Sequence, residues 1–576
     1  MRFGRRLGPV LALAGILLAG CSNTPPPPVV SSAPPSSTAS PAAQSQIVVG
    51  VDDVVGGYNP HTIADASTIT SALSQLLLPS VFRQSDDGTR TLDKTLMVSA
   101  DVVSTMPFTV KYVIRPDASW SDGAPIATED FIYLANAMKT NPGVIEPAGY
   151  RLISDIEPRD GGKGVEVTFS KPYPGWQTLF DNLLPQHLLK DAPGGWNGAL
   201  ANSFPAVAGP FAIKTIDTAR GEATLQRNDR YWEKPAAVDT LILRRSDAAG
   251  IATALRSGND QFSLTRTDSA GLQLLNDLGS AVQLHALARP MTASVLLRPV
   301  SATLSDTRVR AGITALMDRG KLIAAGAKGG PGAALKADAQ VLPPSAKGYA
   351  ATIPAGPPSA PDAAKADEYF TAAGYKKEAG VWRKAGKTLS VVLASPGEQE
   401  PYASIAKELA AELVAGGIEV NQIKPQPRDL FSSLLAMPVV NGKQQPGADA
   451  GGAVGVDIAV AGLPVGGDAA SVLASSFGCA AEAPGADKTK PVVPANPAGL
   501  CDEGLQATID SALTGSAALA DSLKTLEPQL WALNAVVPLY QEAETLAVGK
   551  GISGLTPGPP MLGPFGGAVN WTRGAA

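Results

Sequence analysis

Between Ile405 and Val420 a helical apolar spacing gives way to an extended one across two consecutive glycines. Ile405, Leu409 and Leu413 recur every four residues; Gly416 and Gly417 interrupt the period; Ile418, Glu419 and Val420 resume it as a strand. A glycine pair stops a helix because it admits the left-handed backbone that closes the last turn. Helix, turn and strand in that order form one unit of a layered sheet, which excludes a pure bundle or sandwich. The mixture recurs along the chain. Residues 47–51 (IVVGV), 109–115 (TVKYVIR) and 164–169 (GVEVTF) read as strands. Thr128 can cap a helix with Glu129 and Asp130 in its first turn and Phe131, Leu134, Ala135 and Met138 on one face. The class is α/β or α+β, with no repeat of fixed period.

At 576 residues, 44% hydrophobic and 17% charged, the chain supports a large core of two to four domains and is not mainly disordered. A net charge of −5 argues against a nucleic-acid partner. Three His and three Cys exclude a metal site built from many such ligands, and no cofactor is expected.

Arg2, Arg5 and Arg6 precede an apolar run over residues 7–19, the pattern of a secretory signal peptide over residues 1–20. The run is too short for a membrane span of about 20 residues. Leu18, Ala19, Gly20 and Cys21 resemble the lipobox of bacterial lipoproteins, which implies a diacylated Cys21 at the mature terminus; the alternative is a free cysteine. Residues 21–46 form a Pro/Ser-rich tether, which at about 3.1 Å per residue lifts a body several nanometres from a membrane. An exported body places Cys479 and Cys501 in an oxidising compartment, where a disulfide contributes about 3 kcal/mol; two buried thiols are the alternative.

Tests for enzymatic chemistry mostly fail. There is no H-E-x-x-H; His61, His187 and His285 lie far apart; and there is no G-x-S-x-G. Residues 380–388 (GVWRKAGKT) have five residues between the glycines where a phosphate loop has four, and read as a hairpin turn. Asp52 with Asp53, and Asp86 with Asp87, read as solvated loop acids, because strand neighbours face opposite ways. No enzyme is expected, although acid and base need not be close in sequence.

Four blocks resemble the extracellular solute-binding proteins of ABC importers, family 5. The first is residues 112–138, carried by Trp120, Ser121, Asp122, Gly123, Glu129, Asp130 and Phe131. The second is Gly209-Pro210-Phe211 followed by Arg227, Asn228, Tyr231 and Trp232. Residues 306–319 (DTRVRAGITALMDR) and Pro538-Leu539-Tyr540 complete the series in family order. From the residues themselves, Trp120 packs a turn, Asp122 orders it, and Arg227 and Trp232 brace a corner. The resemblance implies a two-lobed periplasmic-binding-protein-like α/β fold with ligand between the lobes. Lobe I takes residues 47–80, 205–290 and 528–576, with a subdomain at 81–204; lobe II takes 291–527.

Peptide binders of the family place an acid before a D-P segment of the second lobe, where it takes the peptide's amino group. Here residues 463–467 (LPVGG) carry no acid, and Ala469 follows Asp468. Burying an unpaired ammonium costs several kcal/mol, so a small peptide with a free amino terminus fits poorly. The whole chain is most similar to a mycobacterial lipoprotein branch of the family. That likeness implies a phosphatidylinositol mannoside ligand and control of its passage into polar mannosides or lipomannan and lipoarabinomannan. The partners implied are a glycolipid or small-molecule ligand, a mannosyltransferase or an ABC permease, and the extracytoplasmic face of the cell membrane through the lipid anchor. A monomer is expected. Tyr58, His61, Asp457 and Asp468 are the candidate ligand contacts. Each has a plainer reading: loop packing for Tyr58, a surface imidazole for His61, and sheet or helix capping for the two acids.

Overall fold

The computed structural model describes residues 45–54, 56–445, 455–480 and 490–574. The expected signal peptide, Cys21 and the tether up to residue 44 lie outside the described residues, as does much of the loop between Cys479 and Cys501. Those two cysteines are disulfide-bonded.

The two larger sheets use β1 (Gln46–Val51), β2 (Met97–Thr105), β3 (Phe108–Ile114), β4 (Ile153–Arg159), β5 (Gly164–Phe169), β6 (Phe211–Asp217) and β7 (Glu222–Arg227). They continue with β8 (Thr240–Arg245), β9 (Phe262–Thr265), β10 (Val282–Leu297), β11 (Ser390–Ala394), β12 (Glu419–Ile423), β13 (Ile458–Pro464) and β14 (Val536–Gly549). One sheet has ten strands in the order β12-β11-β13-β10-β14-β9-β1-β8-β7-β6. β1 is apolar and buried from Ile47 to Val51 because it runs parallel between β8 and β9, covered on both faces. The second sheet, β2-β3-β5-β4, belongs to the subdomain.

β10 and β14 run through both halves of the large sheet. Their pairing is regular from Val282↔Gly549 to Ala288↔Ala543, slips, and resumes at Thr292↔Gln541. β9 borders the first stretch and β13 the second. Two long strands that share an irregularity are a natural hinge, since the bulge absorbs backbone rotation without breaking the outer pairs. One apolar cluster fills the second half, with Val295, Ile313, Phe370, Trp382, Leu393 and Leu409 among its members. A larger one joins Val49, Phe131 and Phe262 to Leu473, Phe477 and Leu526, so helices from the later chain pack against the first half.

Helix α1 (Thr68–Leu77) is capped by the Ser67 hydroxyl, which accepts from the Thr70 amide. Helix α2 (Thr128–Thr140) buries Phe131, Leu134, Ala135 and Met138 as their spacing requires, but its cap differs from the expected one. Ala127 is the cap residue, and the Thr128 hydroxyl instead donates to the Gly162 and Gly164 carbonyls, 3.1 Å each. Capping falls to Asp130, whose carboxylate accepts from the Ala127 amide at 3.0 Å, the Gln186 amide at 3.0 Å and Trp120 Nε1 at 3.2 Å. Three donors on one buried carboxylate explain why Trp120 and Asp130 occur together. Asp130→Ala is expected to lower unfolding free energy by about 2–4 kcal/mol, from the lost cap and two orphaned donors, measured by urea denaturation.

Helix α3 (Tyr402–Ala415) ends at Gly416 and Gly417, and β12 follows, the unit the glycine pair announced. Residues 381–384 and 387–388 pair antiparallel around Ala385 (φ 49°) and Gly386 (φ 76°). Positive φ at both central residues makes this a tight hairpin turn rather than a phosphate loop.

Candidate functional site: a cavity between the lobes

A cavity of about 1300 Å³ lies between the halves of the structure. Its walls come from the loop before α1, α1 itself, the subdomain, the β10–β14 hinge, residues 396–402 and 426–428, and the segment after β13. α1 explains one wall. Its sequence TITSALSQLL buries Ile69, Leu73, Leu76 and Leu77 and leaves Thr68, Ser71, Ser74 and Gln75 along the cavity. That is the ordinary consequence of helical periodicity when one face meets the core.

The floor is ionic. The irregular stretch of β10 and β14 brings Arg289 to Glu544 at 3.4 Å. The other Glu544 oxygen accepts from Thr68. Tyr402 donates to Glu542 at 2.6 Å, and burial holds the Glu542 carboxyl above its usual range. Asp52 accepts from the Arg266 amide at 2.6 Å; burial pushes its carboxyl up to about 7 against that bond. Asp52 is therefore not the solvated loop acid its sequence context suggests. It is withdrawn to the floor, while Asp53 is exposed and pairs with Arg245. Asp86 and Asp87 are exposed. Ten carboxyl side chains and five arginines line the cavity, so it favours hydroxyl-rich or cationic groups over polyanions.

The upper wall joins the lobes. Glu146, after α2, accepts from the Gly467 amide, in the segment after β13, at 3.0 Å. Its backbone is left-handed (φ 50°), a conformation that costs a non-glycine residue about 1–3 kcal/mol and is held by its surroundings. Burial raises its carboxyl to about 7, opposed by the Gly467 bond. The segment 463–467 has no acid of its own; the acid that faces it arrives from 321 positions away. Arg428 bridges to Asp65 at 2.6 Å, and the Ala148 amide donates to Ser475 Oγ at 3.1 Å. These contacts tie the two sides of the cavity together.

Closure carries a pH dependence. In this structure burial holds the Glu146 carboxyl up at about 7, and exposure on opening is expected to return it toward the ordinary carboxylate range. The closed form therefore holds the extra proton, and closure is favoured below that window and weakens as pH rises through it. The closed fraction of unliganded protein, read by the distance between fluorophores on the two lobes, is expected to fall from about pH 5 to about pH 8. Glu146→Gln is expected to flatten that response; an unchanged slope assigns it elsewhere.

The four candidate contacts separate. His61 lines the cavity, and its Nε2 donates to the Asn182 carbonyl at 2.9 Å. Burial lowers it to about 4, so at neutral pH it is an uncharged imidazole rather than a surface one. Tyr58 is fully buried against Phe204, and among the described residues its hydroxyl has no partner. Asp457 accepts from Ser301 and from the Val392 amide at 2.7 Å, tying β11 to β13 from inside the second lobe. Asp468 caps helix α4 (Ala469–Phe477) through the Ser471 amide at 3.0 Å. Tyr58, Asp457 and Asp468 are not among the cavity-lining residues. Glu146, Glu542, Glu544 and Arg289 are, and no local motif marks them. Among the described residues no His, Cys, Asp and Glu group is arranged to hold a metal ion.

A hinged pair of α/β lobes around a large cavity, lined by carboxylates, hydroxyls and apolar side chains, defines a protein that grips a ligand. The chain belongs to the bacterial extracellular solute-binding proteins of family 5, whose middle-region model matches residues 95–444. It is 33% identical, over 98% of both chains, to the probable monoacyl phosphatidylinositol tetramannoside-binding protein LpqW of Mycobacterium tuberculosis. Among solved structures it is similar to the periplasmic EDTA-binding protein EppA (TM-score 0.68, 22% identity, 92% of this chain and 97% of that one). It is also similar to the oligopeptide-binding protein AppA of Bacillus subtilis with a nonapeptide (TM-score 0.69, 16% identity, 92% and 100%). Those two likenesses establish the fold alone. No helix among the described residues is long and apolar enough to cross a membrane.

Proposed function

We propose that the protein is a lipid-anchored binding protein of the cell envelope that holds the headgroup of a phosphatidylinositol mannoside between its lobes without transforming it. In this reading its occupancy regulates how the mannoside divides between polar mannosides and lipomannan or lipoarabinomannan. The observation that carries the reading is the cavity. At about 1300 Å³ it exceeds the 300–1000 Å³ typical of small-molecule sites. Its acidic floor and the hydroxyl face of α1 offer acceptors for sugar hydroxyls, and Ile145 and Met291 add apolar lining. The near-full-length likeness to a protein named for such a ligand supports it. His61 is the candidate contact at the wall, with Tyr58, Asp457 and Asp468 in supporting roles and Cys21 as the lipid site.

A second reading, delivery of peptides or other small solutes to an ABC permease, is favoured by one observation. Glu146 supplies beside Gly467 the kind of acid that takes a peptide's amino group. Native mass spectrometry of the tetherless protein with purified mannosides and mixed peptides separates the two. Mannoside retention is expected; selective retention of peptides with free amino termini overturns the first reading. A deletion strain with unaltered mannoside and lipoarabinomannan profiles overturns the regulatory role.

A further inference from the structure

Eight large apolar side chains stand exposed among the described residues, and four of them, Val98, Val102, Val103 and Met106, lie on β2 and its turn into β3. Met106, at the tip, is 91% exposed. From Val102 to Val110 the hairpin carries no charge. An apolar cluster this concentrated marks an interaction site rather than ordinary surface scatter.

β2 is an edge strand, but it is a poor template for pairing with another chain. Its register slips between Met97 and Ser99 and again between Val102 and Ser104, leaving Val98 and Val103 without partners on β3. Bulges at an edge twist it away from strand addition and re-aim side chains. The hairpin therefore offers apolar side chains rather than backbone.

The start of the described chain indicates what covers them. Ser45 bonds to Asp239 through its amide at 2.8 Å and its hydroxyl at 3.1 Å. Asp239 lies a short loop beyond Trp232, whose Nε1 donates to the Thr95 carbonyl at 2.7 Å, at the base of β2. The described chain thus begins near the foot of this hairpin. The tip lies roughly 30 Å away, at about 3.3 Å per strand residue. The 24 residues from Cys21 to residue 44 have a contour length of about 70 Å at about 3.1 Å each, more than that distance, so chain length does not prevent a lipid-anchored body from bringing the tip to the bilayer.

We propose that the β2–β3 tip docks on the lipid bilayer, with Val103 and Met106 entering its interfacial layer. This docking rests on the anchored, glycolipid-binding reading above and supplies its route: the body lies on the membrane that holds its ligand. Apolar insertion adds orientation to an anchor that two lipid chains already make stable.

The test uses the mature chain with Cys21 coupled to a maleimide lipid in phosphatidylglycerol–phosphatidylcholine nanodiscs and with methionine methyls labelled with 13C. A lipid spin label near the headgroup is expected to broaden the Met106 methyl selectively, leaving the buried Met317 sharp. Broadening of Met106 no greater than that of Met317 overturns the proposal. Joint Val103→Asp and Met106→Asp substitution is expected to weaken vesicle partitioning of the uncoupled chain at least about tenfold with an unchanged unfolding midpoint. Equal partitioning overturns it, as does protection of the hairpin only when another membrane protein is present. Mannoside binding by the same variant in solution keeps the two readings apart. Binding without tip insertion removes the docking alone, and insertion without mannoside binding removes the glycolipid reading alone.

Discussion

Gly467→Val is expected to hold the lobes apart. A Cβ at position 467 falls 1.7 Å from Glu146 Oε2 and 2.7 Å from its Cδ, well inside van der Waals contact. The atoms it meets are the far end of the Glu146 side chain, and when that carboxyl yields it gives up its bond to the Gly467 amide, leaving a desolvated donor and acceptor unpaired. Because lobe closure multiplies every contact in the cavity, the loss appears in affinity. Ligand binding is expected to weaken at least about tenfold, equivalent to about 1.4 kcal/mol. Small-angle scattering is expected to show a larger radius of gyration. Glu146→Ala in the same chain removes the clash, so the double variant is expected to close again. That non-additivity is the signature of direct contact. A Gly467→Val protein with native scattering and affinity would refute the closure described here.

The second large effect lies at the end of β10. Arg298 follows β10 and is fully buried. Its guanidinium donates to the carbonyls of Pro497 at 3.2 Å, Val456 at 3.3 Å and Leu435 at 2.7 Å, and to Gln444 Oε1 at 2.8 Å. Burial lowers it to about 10, with Asp457 opposing, so it stays charged at neutral pH. One planar fork thus ties four separated segments. Arg298→Met keeps much of the volume and orphans four acceptors, with an expected loss of about 3–5 kcal/mol of unfolding free energy. Arg298→Lys is expected to recover only part, because an ammonium does not span the fork. Guanidinium unfolding measures both; a loss below about 1 kcal/mol for methionine contradicts the assigned role.

These two sites show where sequence reading stops. β1, the hairpin at 381–388 and the α3–Gly-Gly–β12 unit were legible because each is decided by neighbours within a few positions: apolar period, positive-φ turn residues, a helix-ending glycine. The family was legible for a different reason, since its blocks are local packing devices, such as Trp120 on Asp130. Thr128 was misplaced by one position because Asp130 competes for the same cap, and the choice depends on Gln186 and Gly164, far along the chain. Asp52 read as a loop acid because nothing beside it shows that Arg266 and Glu544 will enclose it.

The sequence by itself therefore settled the kind of fold and the family, because helical and extended periods and turn residues are short-range properties of the chain. Only the tertiary structure decided the site. Glu146 meets Gly467, Arg289 meets Glu544 and Tyr402 meets Glu542 across separations of more than a hundred residues. Burial and charge at such meetings depend on how the two halves close, and no local pattern encodes that.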